Sequence, residues 1–268
     1  METEVQILNQ IQSNQILINI KDKYLKYIIK ILIKEPLKNS NCIFYDCNKL
    51  ISLDLSHFNS NKIIDMQDMF SNCSSISSLN LSNFNTNNVT NMSNMFYNCS
   101  SLTSLNLSNF NTNMGYMFLK CSSLSSLNLS YFNNVNNMSY MFSNCSSLTS
   151  LNLSNFNNNN VINMNDMFYS CSSLTSLNLS NFNTNNVLNM NHMFFNCSSI
   201  ISLDLSNFKT ENNEDFSYMF SGCGSLVSLD ISNFILKNVK TMNNIFNQIK
   251  KKCELKCNDK ILLSKFKK

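Results

Sequence analysis

The chain has 268 residues, 43% of them apolar and only 13% charged, with a formal net charge of +4. That is apolar enough for a core and too weakly charged for a polyelectrolyte nucleic-acid binder, so solubility rests on Ser and Asn. Three Gly exclude a Gly-rich phosphate loop, and a single Pro leaves the turns to Asn, which tolerates left-handed backbone.

Residues 1–40 lack the pattern that fills the rest of the chain. The acidic start Met-Glu-Thr-Glu is neither a secretory leader nor an Arg-rich transit peptide. Lys23, Lys26, Lys30 and Lys34 then fall on one helical face, and Tyr24, Leu25, Ile28, Ile29 and Leu32 on the other, up to Pro36. The spacing predicts an amphipathic helical cap, with a membrane-surface helix as the sharper alternative. The apolar run is too short and too broken by Lys to span a bilayer.

Residues 41–249 repeat one phrase, clearest from Met92 to Phe110. Met92, Met95, Phe96 and Cys99 stand at i, i+3, i+4 and i+7, one face of a helix. Leu105 and Leu107 then alternate with Ser104, Asn106 and Ser108, the period of a half-buried strand. Cys47, Cys73, Cys99, Cys121, Cys145, Cys171, Cys197 and Cys223 are 26, 26, 22, 24, 26, 26 and 26 residues apart. Both short steps lose residues in the Asn-rich stretch between the Phe of one copy and the Met of the next, as at Asn111-Thr112-Asn113, which marks a loop. Leu, Phe and Met hold register across all copies, which no disordered Asn/Ser tract does. A short helix feeding a short strand at fixed spacing is a solenoid coil, and about eight stack into an α/β repeat rod. Its parallel sheet has strands ~4.8 Å apart.

The eight repeat cysteines read as buried free thiols on the inward helical face. A disulfide ladder or structural zinc is the alternative, but one Cys per coil offers neither distinct pairs nor four converging ligands. Residues 250–268 hold eight Lys and read as a solvated cap and tail, with an anionic partner as the alternative.

No cluster of acid, base and nucleophile stands out. His57 and His192 lie about five coils apart, so the chain reads as no enzyme and as needing no cofactor or metal. Two sets of residues are candidates for binding. One is the outward polar ladder of the strands, Asn106, Asn128, Asn152 and Asn178, suited to a repetitive glycan or crystal surface. The other is the set of aromatics where columns vary on the helical side: Tyr97, Tyr116, Tyr140, Tyr169, His192, Phe195 and Tyr218. The bland reading of the second set is partial burial between coils.

Asn88-Val89-Thr90-Asn91-Met92-Ser93-Asn94-Met95-Phe96-Tyr97-Asn98-Cys99 resembles the BspA-like leucine-rich repeats of the Treponema pallidum type. It is closer still to the Asn/Met/Phe-rich repeats of mycoplasma lipoproteins and bacterial surface proteins. The resemblance runs from about Phe44 to Phe246. It implies a right-handed leucine-rich-repeat rod without chemistry, used for adhesion and protein binding at a cell surface. The start of the chain points instead to a cytoplasmic scaffold. The expected partner is a protein or glycan rather than nucleic acid, and the expected state is a monomer without a transmembrane segment.

Overall fold

The computed structural model describes residues 15–21, 26–32, 37–55, 58–107, 110, 114–129, 135–154 and 156–267. His57, Asn111-Thr112-Asn113 and the first residues of the expected N-terminal helix lie outside them.

The repeat folds as a parallel β-solenoid of about seven turns. Its strands are β3 (Leu50–Asp54), β4 (Ser78–Asn80), β5 (Ser104–Leu107), β6 (Ser126–Leu129), β7 (Ser150–Asn152), β8 (Ser176–Asn178), β9 (Ser202–Asp204) and β10 (Ser228–Asp230). Equivalent residues pair across neighbours: Leu53 with Leu79, Leu105 with Leu127, Leu203 with Leu229. Leu105 and Leu107 are buried while Ser104 and Asn106 are exposed, as period two demands. Among the described residues, no strand ladder joins β4 to β5, β6 to β7 or β8 to β9.

The other half of each coil is not helical, which corrects the expectation of short helices. Residues 66–73 form tandem turns, closed by Met69 N–H to Met66 O, Ser71 N–H to Asp68 O and Cys73 N–H to Phe70 O. Asp68 and Asn72 hold φ of 53° and 62°, each third in a four-residue turn, where such values serve a turn and break a helix. The alternate N–H groups, of Asp68, Phe70 and Asn72, donate instead to Ser93, Met95 and Tyr97 of the next coil. The same three lateral bonds recur at every junction from Cys42-Phe44-Asp46 to Tyr218-Phe220-Gly222. The continuous backbone spine therefore runs along the turns, and the sheet side is the interrupted one.

The core lies between these halves. Phe44, Phe70, Phe96, Phe118, Phe142, Phe168, Phe194, Phe220 and Phe246 form one ladder, with centroids 5.5–6.0 Å apart and planes within 4–8°. Met92, Met95 and their equivalents from Met66 to Met219 are fully buried beside it. Cys73 to Cys223 are buried free thiols. Each donates to a Phe carbonyl of the preceding coil, as Cys99 Sγ does to Phe70 O at 3.1 Å. That carbonyl already accepts Cys73 N–H, so the thiol occupies its second lone pair. Cys47, also expected inside, is exposed. It belongs to the first coil, where no preceding Phe carbonyl awaits it.

Both ends differ from expectation. Instead of an amphipathic helix, β1 (Gln15–Lys21) and β2 (Lys26–Leu32) form an antiparallel hairpin, and β1 pairs antiparallel with β3. The run Gln-Ile-Leu-Ile-Asn-Ile-Lys is rich in β-branched Ile, and the open edge of β3 supplies a partner. At the other end the ladder passes residue 249. β11 (Glu254–Lys256) pairs parallel with β10, and α1 (Lys260–Phe266) starts on Asp259, whose carboxylate accepts the Ile261 and Leu262 N–H groups. Leu262 is fully buried, and Phe266 closes the Phe ladder edge-on against Phe246 at 5.3 Å. The Lys-rich stretch is thus a structured cap rather than a solvated tail.

Candidate binding face

The turns place one residue per coil in left-handed conformation just before Met-Phe or Ile-Phe, at least partly exposed in every coil except that of Asp166, which is buried. Asp68, Asn94, Asp166 and Asn244 occupy that column with φ of 51–57°. These residue types tolerate it, because a short polar side chain bonds locally. Tyr116, Tyr140, His192 and Tyr218 hold the same conformation, at 53–62°. For such side chains it costs roughly 1–2 kcal/mol each.

These residues stack on one another. Tyr116 and Tyr140 lie 5.1 Å apart and nearly parallel. His192 and Tyr218 are 4.9 Å apart at 5°. The second variable column adds Tyr169 on Phe195 at 4.9 Å, and both touch His192, at 6.3 and 5.6 Å. Tyr169, His192, Phe195 and Tyr218 therefore form one four-residue patch, with Tyr116 and Tyr140 as a second patch beyond Asp166. Tyr116 is 36% exposed and the others are half-buried, so the bland expectation of partial burial holds in degree while the rings still reach the surface. Tyr97 stands apart under Lys120, whose Nζ lies 3.4 Å from its hydroxyl and 5.6 Å from its ring centre.

Asp166, which the sequence also places in this variable column, is buried between the two patches. Its carboxylate accepts Asn165 Nδ2 at 2.8 Å. Burial, and then the charge and hydrogen bonding of Asp166, hold the Tyr140 phenol above its ordinary pKa.

The strand-side candidates fare differently. Asn106, Asn128, Asn152 and Asn178 are exposed. Their amides, however, serve the chain. Asn152 and Asn178 Oδ1 accept the Ser154 and Ser180 N–H groups at 3.0 and 3.1 Å, turns that end the strands. Asn128 Nδ2 donates to Asn106 Oδ1 at 3.2 Å.

Little here is arranged for catalysis. His192 is stacked among aromatics rather than set in a cavity. One shallow groove of about 500 Å³ runs over Ser122, Asn144, Ser146, Ser170, Ser172 and Ser198, all uncharged. A second cavity, of about 390 Å³, lies at the C-terminal end. Among the described residues no three His, Cys, Asp or Glu side chains gather as metal ligands. No helix there is long and apolar enough to cross a membrane.

Stacked Leu-x-Leu strands backed by turns make this a leucine-rich-repeat-like solenoid. The chain belongs to the family described as "Mycoplasma protein of unknown function, DUF285", whose model matches residues 38–156 and 136–257. No match was found among curated proteins. Among solved structures it is similar to the "Crystal structure of TLR13-ssRNA13 complex", at 18% identity and a TM-score of 0.34, over 74% of this chain and 25% of that one. It is also similar to an internalin (inlF) from Listeria monocytogenes, at 17% identity and a TM-score of 0.28, over 78% of this chain and 64% of that one. The aligned part is thus less than two thirds of either structure.

Proposed function

We propose that the protein is a non-catalytic binding protein that holds a protein ligand against the aromatic patches of its turn side. The observation that carries this reading is the left-handed backbone at Tyr116, Tyr140, His192 and Tyr218. The scaffold does not need aromatics there, because Asn94 and Asn244 fill the same column at the same angle. Backbone cost retained without structural need belongs to function. Amphipathic rings with two rotatable bonds supply contact area at small entropic cost, as favoured binding anchors do. The BspA-like resemblance adds display at a cell surface to the proposal. The strand-side amides support a glycan reading less, since they close turns and cross-coil bonds.

The test is site-directed photo-crosslinking on native cells. A benzophenone residue at position 169 or 195, in the same patch, is expected to yield discrete protein adducts, while one at position 128 or 178 yields none. The adducts should vanish in the variant Tyr116→Asn, Tyr140→Asn, His192→Asn, Tyr218→Asn, whose fold is maintained because Asn suits the column. Adducts confined to the strand side, or a glycan-array signal lost on Asn106→Lys and Asn152→Lys, overturn the assignment. Protection of the protein from protease added to intact cells overturns surface display.

A further inference from the structure

The lateral bonds of the turn spine run one way. In each coil three alternate N–H groups donate to three carbonyls of the next coil, as Tyr218, Phe220 and Gly222 do to Asn243, Ile245 and Asn247 at 2.8–3.0 Å. The last coil repeats the geometry. Asn244 and Gln248 hold φ of 51° and 64°, and Asn247 and Ile249 close the local turns. Its own three lateral donors, the N–H groups of Asn244, Phe246 and Gln248, have no acceptor among the described residues. The chain leaves the coil there and returns as β11 on the sheet side and α1 over the Phe246 ring, and neither supplies carbonyls to that edge.

A cavity of about 390 Å³ opens in front of these donors, between the last turn and the end of α1. It is lined by Asn244, Phe246 and Gln248 together with Lys250, Lys251 and Lys265. All three lysines are exposed, and none is ion-paired among the described residues. A row of donors at alternate residues matches the carbonyls of a segment in the same tandem-turn conformation, as Asn243, Ile245 and Asn247 present theirs to Tyr218, Phe220 and Gly222. Three cations beside the row select negative side chains.

We infer that this edge captures an acidic peptide segment, which folds along residues 244–248 in the turn conformation of the coils as one more rung of the solenoid. Backbone carbonyls of the segment accept the three N–H groups, and its carboxylates meet Lys250, Lys251 and Lys265. This is strand addition transferred from a sheet edge to a turn edge. It is independent of the aromatic patches, which lie on other coils.

The test uses the whole chain and an N-acetylated, C-amidated Ser-Asp-Ser-Asp-Ser-Asp peptide. Residue-resolved amide exchange is expected to slow at least tenfold at Asn244, Phe246 and Gln248 under saturating peptide. Asn247 and Ile249, already bonded, should stay unchanged. Fluorescence anisotropy should show binding weakened at least tenfold by Lys250→Glu, Lys251→Glu and Lys265→Glu combined, and by exchanging the peptide's Asp for Lys. Equal protection by sodium sulfate at the same concentration would reduce the site to an anion contact and overturn the inference. So would protection that rises with protein concentration alone, which would mean a second copy supplying its exposed Asn41, Ile43 and Tyr45 edge. Unchanged exchange at the three amides of the wild-type chain overturns it regardless of how the variants fold.

Discussion

Phe168 tests whether the solenoid is held by nearest-neighbour rungs. Its ring is fully buried, 5.6 Å from Phe142 and 5.6 Å from Phe194, within 7° and 8° of parallel. Removing such a ring costs about 3–5 kcal/mol. Ring stacking accounts for ~0.5–1.5 kcal/mol per pair of that. Because Phe168 has two partners, Phe168→Ala should fall near the top of the range, a large share of a typical domain's total stability of about 5–15 kcal/mol. The loss lies mid-array, so it should also uncouple the halves and split or broaden the unfolding transition. Milder Phe→Leu changes isolate the pair terms in double-mutant cycles. Phe142→Leu with Phe168→Leu should show a coupling of ~0.5–1.5 kcal/mol. Phe142→Leu with Phe194→Leu, two steps and about 11 Å apart, should be additive within ~0.5 kcal/mol. The assay is equilibrium urea unfolding followed by circular dichroism. Coupling between the distant pair as large as between the adjacent one would refute the nearest-neighbour reasoning. An additive adjacent pair would remove stacking from the account.

The thiol ladder predicts alkaline sensitivity. Burial pushes Cys121, Cys171 and Cys223 up to about 12 from the ordinary 9.0. The folded chain keeps these protons where the unfolded chain releases them, so their contribution is complete below pH 9 and declines as pH rises towards about 12. By pH 10 each should have lost on the order of 1 kcal/mol, and Cys171→Ala should make the fall of stability with pH shallower by about one proton. In the second left-handed column, Asn98 holds φ of 56° and donates Nδ2 to Asn72 Oδ1 at 3.0 Å. Asn98→Ala should cost about 1–2 kcal/mol in urea unfolding, and Asn98→Gly less, because Gly adopts that conformation freely. A chain lacking residues 1–36 loses the partner of the β3 edge. It should associate with rising concentration in light scattering, and a monodisperse monomer would mean that the hairpin protects nothing.

The Leu, Phe, Met and Cys ladders were legible in the sequence because a side-chain column needs only a fixed spacing and a fixed face. The backbone beneath them was not. Met92, Met95, Phe96 and Cys99 satisfy helical spacing, yet they face inward equally well from tandem turns. The overlooked sign lay between them. Asn94 and Asn98 sit four apart, and the equivalents of Asn98 in other coils are Asp, Asn, Lys, Ser, Gly or Gln, a set with several residues that disfavour helix interiors. The N-terminal hairpin escaped because Lys26 to Leu32 fits helix and strand alike, and the deciding partner, the open edge of β3, is a tertiary fact. The aromatic columns could be listed from sequence. That their backbone is left-handed, and that Asp166 bonds Tyr140, depends on the turns.

Those turns also bear on the proposed binding role. Translation along the rod sets equivalent side chains about one rung apart, side by side and pointing the same way, as Tyr116 and Tyr140 do at 5.1 Å. Catalysis needs unlike groups converging on one atom from different directions, and a translational repeat does not produce that within a column. A column can, however, change one surface residue per coil without disturbing the core, because Met95 and Phe96 hold the ladder whatever stands at Asn94. Asn, Asp, His and Tyr all occupy that place on the same backbone. On the proposed reading, a surface written one residue per rung against a constant core suits a partner lying along the rod, whereas the unmatched donors of the last coil would take a segment lying across its end.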